Sequence, residues 1–153
     1  NITLRDNTAD GNSIGFLLTD SSSGNILKKN AANDNRRHGF RLFASPENTL
    51  KENTANGNGS FGFFFTSISE TVMKKNTAND NGVTGIRLSL GSNGNIFKKN
   101  TADDNGSFGF DLFSTSENEL INNFACGNGT LDARQRSSSG NVFKNNDFCS
   151  SAL

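Results

Sequence analysis

Four lysines, Lys28, Lys51, Lys74 and Lys98, recur along the chain at nearly constant spacing, with Arg5 before them and Lys144 after. Lys29, Lys75 and Lys99 stand beside three of them, and Glu52 takes that place next to Lys51. A row of ammonium groups at fixed intervals is chemistry for a polyanion, such as a uronic-acid polysaccharide or another acidic glycan. It also suits a solvated face whose long stems cover apolar surface. A second recurring set is Arg41, Phe64, Arg87, Asp111 and Arg134, with Phe43 and Phe113 two residues beyond Arg41 and Asp111. Rings for stacking beside charges for hydroxyls or carboxylates make a sugar platform. The competing reading has the rings packed under a neighbouring segment or partner.

Acid–base chemistry has a thinner basis. Glycoside hydrolysis needs two facing carboxylates, and the densest acidic group is Asp80, Asp103 and Asp104. Those residues lie among Asn and Gly, where Asp commonly forms turns. His38 is the only histidine, and no ligand-spaced Cys or His accompanies it, so no metal is expected. No Ser-His-Asp set, P-loop or dinucleotide fingerprint occurs, and no cofactor is expected. Fifteen basic and fifteen acidic residues give zero net charge. This weighs against a nucleic-acid partner. No apolar run is long enough for a membrane helix, and no membrane partner is expected.

The elements that position these side chains follow from a repeat. Asn7, Asn30, Asn53, Asn76, Asn100, Asn123 and Asn146 are separated by 23, 23, 23, 24, 23 and 23 residues. A fixed period of this size is the mark of a solenoid. Three residues before each Asn comes Leu4, Leu27, Leu50, Met73, Phe97, Leu120 or Phe143; two after it comes an Ala, or Phe148 in the last copy. Ten and twelve after it come pairs such as Phe63/Phe65 and Phe110/Leu112, which the first copy offers one residue early as Phe16 and Leu18. This alternation is strand period, not helix period. The expectation is all-β: a parallel β-helix of roughly six and a half rungs over residues 1–153, about three short strands per rung, successive rungs ~4.8 Å apart. A leucine-rich repeat has a similar period, but it needs more Leu and a helical return, and "ANDNGVTG" is poor in helix formers. The many Asn are expected at corners needing positive φ and in side-chain ladders between rungs. Fourteen Phe beside no Tyr suggest rings in a dry core.

The repeat N-x-[IL]-x-x-N-x-A-x-x-N-x-x-x-G-[FI]-x-L resembles that of secreted right-handed parallel β-helix proteins, the NosD-like and carbohydrate-binding or sugar-hydrolase class. The resemblance implies a right-handed coil, which the usual hand of parallel crossovers also favours. It implies little about activity, because one scaffold hosts many. Cys126 and Cys149 both lie three residues after a repeat Asn, on adjacent rungs, so a disulfide between the last two rungs is expected. That bridge would fit an oxidising, secreted or periplasmic setting. Asn1, Asn58, Asn105 and Asn128 open glycosylation sequons, though such triplets arise easily in an Asn-rich chain. The chain starts in mid-repeat, as a piece of a longer solenoid would, and the first rung carries no evident cap, which leaves end-to-end self-association open. Three functions remain: a non-catalytic structural or carbohydrate-binding module, a fragment of a polysaccharide lyase, hydrolase or epimerase, and a stacking filament subunit.

Overall fold

A computed structural model describes residues 1–153. The first sheet stacks Thr3–Arg5, Ile26–Lys28, Thr49–Lys51, Val72–Lys74, Ile96–Lys98, Glu119–Ile121 and Val142–Lys144. The second stacks Ile14–Leu18, His38–Phe43, Phe61–Thr66, Thr84–Ser89, Phe108–Phe113, Leu131–Arg136 and Ser151–Ala152. A third joins Phe124–Ala125 to Asp147–Phe148 and continues through the earlier rungs as single parallel bridges from Thr8 to Phe124. Every pairing is parallel and joins one repeat to the next. The chain is a β-solenoid because no single repeat can hide its apolar side; stacking repeats buries one continuous column.

The repeat positions fill that column. Leu27, Leu50, Met73 and Phe97 point inward from the first sheet, Ala32, Ala55, Ala78 and Ala102 from the third, and Phe40/Leu42, Phe63/Phe65, Ile86/Leu88 and Phe110/Leu112 from the second. Phe16, Phe40 and Phe63 stack face to face at 4.8 Å, one ring per rung. Phe65 of the second sheet meets Phe97 of the first across the core, with ring centroids 6.1 Å apart. The two sheets therefore present their outer faces away from one another. Gly39, Gly62 and Gly85 sit where the wall pinches. A Cβ at Gly62 would lie 2.7 Å from the Gly85 carbonyl and 2.9 Å from Ala78 Cβ. With Gly62 and Phe63 both turned inward, the strand alternation shifts phase there.

The asparagines are not where corner geometry alone would put them. The left-handed position before the repeat Asn holds Asp6, Lys29, Glu52, Lys75, Lys99, Asn122 and Asn145. The repeat Asn itself lies one residue later, buried from Asn30 to Asn123, and serves as a hydrogen-bond hub. Asn76 Oδ1 accepts from both the backbone N–H (2.8 Å) and the side-chain amide (3.0 Å) of Asn53. Asn76 in turn donates to Asn100 Oδ1 and to the Leu50 carbonyl. A corner frees backbone groups that no strand partner can take, and the amide takes them. Asn12, Asn35, Asn58, Asn81, Asn105 and Asn128 form a second ladder of the same kind. It ends on Asp132, whose Oδ1 accepts the Asn128 backbone N–H at 3.0 Å. Cys126 and Cys149 are disulfide-bonded with Cα atoms 5.2 Å apart, joining the last two rungs.

Candidate functional site

The outer face of the second sheet carries the most organised set of polar side chains. Arg87, Asp111 and Arg134 are in register on three successive strands. The column places Asp111 between Arg87 and Arg134 as an outward ion-pair ladder, and both pairs form. The difference is burial: Asp111 has no exposed surface, because the two arginines close over it. Arg134 Nε and Nη2 both lie 2.9 Å from Asp111 Oδ1, and Arg87 Nη1 lies 3.3 Å from Oδ2. Aromatic faces hold these two guanidinium groups from the side, and those of Arg41 and Arg136 as well. Arg134 sits 3.6 Å over Phe108, Arg87 is 5.5 Å from the Phe61 centroid, Arg41 is 5.1 Å from Phe64, and Arg136 is 4.5 Å from Phe113. A guanidinium fixed by a carboxylate and a ring loses little freedom on meeting a ligand. Thr84 Oγ1 and Arg87 Nε, on one strand, are buried without a hydrogen-bond partner in the chain, and Asp111 Oδ2 meets only the Arg87 guanidinium.

Phe43 is exposed and Phe113 half-exposed, but they do not form one surface. Thr66 and Ser89 separate them in the register, so the rings lie three rungs apart. Phe61 and Phe108 join the face although simple alternation turns them inward; the phase shift at the following glycine turns them out. Arg136 also belongs to it. His38 is buried and stacks on Phe61 at 5.2 Å. Burial, helped by Arg37 and Arg41, lowers its pKa to about 4, so it is neutral at pH 7.

Lys28, Lys51, Lys74 and Lys98 are in register on the outer face of the first sheet, with Arg5 at one end and Ile121 then Lys144 at the other. The acidic group is structural. Asp103 continues a ladder from Asn79 and accepts the Cys126 backbone N–H at 2.9 Å. Burial, with Asp104, Asp132 and Asp80 nearby, raises its pKa despite that bond. Asp80 and Asp104 occupy left-handed corners. Burial also works against charge on Asp132, but hydrogen bonds from Ser150 and Asn128 outweigh it and lower its pKa. Three of the sequon asparagines are members of the second ladder. Asn58 and Asn105 are buried with their Nδ2 atoms committed to ladder bonds. Asn128 Nδ2 bonds the Ala102 carbonyl and Asp132. A glycan on any of these nitrogens would break the ladder.

A family model described as a right-handed beta helix region matches residues 1–148. No curated protein matches the sequence. Among solved structures, the A-module of the Azotobacter vinelandii mannuronan C-5 epimerase AlgE4 is similar at 26% identity over 80% of this chain, with a TM-score of 0.77. The periplasmic alginate epimerase AlgG matches 99% of the chain at 17% identity and TM-score 0.88. Pectate lyase Pel9A matches 99% at 17% identity and TM-score 0.73. The two at 17% identity speak for the fold alone. The chain spans 36%, 39% and 47% of these three structures' own lengths. On the match across nearly its whole length, the chain belongs to the right-handed β-helix family.

Proposed function

We propose that the chain is a secreted or periplasmic, non-catalytic β-helix module that binds a linear acidic polysaccharide along the outer face of its second sheet. The observation that carries this reading is Asp111, a buried carboxylate that holds Arg87 and Arg134 in place on either side. Two fixed guanidiniums on a rung-spaced ladder match the carboxylates of a polyuronate, and the flanking rings offer faces for pyranose C–H groups. The similar structure at 26% identity is the A-module of a mannuronan C-5 epimerase, which supports this substrate class. The disulfide supports the location.

A second reading, a polysaccharide-modifying enzyme, draws on that same similar structure. Proton abstraction beside a carboxylate needs a free base. On this face Asp111 lies under two guanidiniums and His38 is buried, so binding fits the geometry better. Titration calorimetry with uronic-acid hexamers and neutral cello-oligosaccharides, at low and moderate salt, tests both. Binding is expected for the acidic oligomers alone. Arg87→Ala/Arg134→Ala should lose at least ~10-fold in affinity, since a charge-assisted hydrogen bond contributes about 1.5–3 kcal/mol. Absence of binding by folded protein, or an unchanged affinity in the variant, overturns the reading. Solvent deuterium entering C5 of the bound sugar would favour the enzyme.

A further inference from the structure

We propose that the outer face of the first sheet is a second polyanion-binding face, so that one molecule can bridge two acidic polysaccharide strands. Lys28, Lys51, Lys74 and Lys98 stand in unbroken register on four successive strands. Lys29, Lys75 and Lys99 line the corner beside them. Glu52 is the one acidic side chain in these two columns across the four rungs, and it pairs with Lys51 at 3.6 Å. Lys28, Lys74 and Lys98 form no ion pair. In a chain with equal acidic and basic totals, this is a concentrated stripe of positive charge.

One cost marks the stripe as more than solvation: neighbouring ammonium groups one rung apart repel one another. A linear polyanion laid along the solenoid axis relieves the repulsion by placing one negative group near each rung. Ile26 and Ile96, both exposed, flank the lysines with Thr49 and Val72 between them in register, and give an aliphatic rail for sugar C–H faces. Glu47, Glu70 and Glu117 lie at the corner before the strands and bound the basic strip on that side. The one-dimensional, rung-spaced charge favours a linear polycarboxylate over a lipid surface, where charge has no fixed repeat.

The lysine face stands on its own geometry; the bridging also rests on the reading of the second sheet, whose outer face looks the other way. Calorimetry with uronic-acid hexamers separates the two. Wild type is expected to bind about two hexamers per chain and to cross-link long polyuronate, read as turbidity, by the logic of multivalency. Lys28→Gln/Lys51→Gln/Lys74→Gln/Lys98→Gln should bind one and cross-link none, and Arg87→Ala/Arg134→Ala likewise. If the fourfold variant melts early, Lys51→Gln/Lys74→Gln is used, with at least ~10-fold weaker binding at one site expected. One hexamer per wild-type chain, unaffected by the lysine substitutions, refutes the second face. One hexamer lost only in the lysine variant would keep that face and remove the second-sheet site and the bridge. Binding to phosphatidylserine vesicles without binding to hexamers would refute the polysaccharide assignment.

Discussion

Replacing Asn76 by Ala removes the middle link of the buried ladder, and the structure fixes what is lost. The Asn53 backbone N–H loses its acceptor, Asn76 Oδ1, at 2.8 Å. The Asn53 side-chain amide loses one of its two partners and keeps the Leu27 carbonyl. The Leu50 carbonyl and Asn100 Oδ1 each lose a donor, though Asn100 Oδ1 keeps the Asn76 backbone N–H. One fully orphaned buried donor costs about 1–3 kcal/mol, and each of the three further bonds about 1 kcal/mol, for a total of about 4–6 kcal/mol. Asn146→Ala makes the comparison. That residue makes the equivalent bonds to Asn123 and to the Leu120 carbonyl, but in the last rung, half-exposed, where water replaces the amide at about 1 kcal/mol. Urea unfolding of both variants, with m-values checked against wild type, measures the difference. Equal losses in the two variants, or a loss under ~1 kcal/mol for Asn76→Ala, would show that the ladder does not hold the rungs together as described.

Lowering the pH should destabilise the chain through His38. Its folded pKa of about 4 lies below the unfolded 6.5, so its contribution is complete above pH 6.5 and is lost as pH falls toward 4. The loss approaches about 3 kcal/mol, offset in part by Asp103, whose raised pKa favours the folded state as it protonates. Asp132, with its lowered pKa, costs stability only below its unfolded value of 3.8. His38→Phe should flatten the pH 4–6.5 slope in urea unfolding, and an unchanged slope would contradict the burial. Gly62→Ala should lower stability by about 1–3 kcal/mol, because the added methyl meets backbone and Ala78; no change in the urea midpoint would refute the pinch. Reducing the Cys126–Cys149 bridge, which closes 23 residues of sequence separation, should cost up to about 3 kcal/mol. The loss should be seen first as faster hydrogen exchange in the final rung, and uniform exchange along the chain would argue against a local staple.

The scaffold is legible in the sequence because solenoid stacking repeats each requirement once per rung. A single 23-residue period aligns Leu27 with Leu50, Ala32 with Ala55 and Cys126 with Cys149, and the fold follows from those columns. The role of the asparagines is only half legible. Composition points to corners, whereas the corner residues are Lys29, Glu52 and Asp80, and the amides lie beside them taking the freed backbone groups. The face is harder to read. Strict alternation hides Phe61 and Phe108, because a glycine that packs on the alanine column shifts the phase; the Gly before each inward Phe is the available signal. The pairing of Asp111 with Arg87 and Arg134 is legible from their shared column, but its complete burial is not, because that depends on how far the two long side chains fold over it. Phe43 and Phe113 share a column, yet Thr66 and Ser89 between them break the platform.

A crystal structure with a bound uronic-acid hexamer would test the binding face without intermediaries. Sugar carboxylates on Arg87 and Arg134, with pyranose rings against Phe61 or Phe108, are the predicted result. A hexamer lying elsewhere and leaving the second sheet bare, or crystals grown at saturating hexamer with none bound, would contradict it.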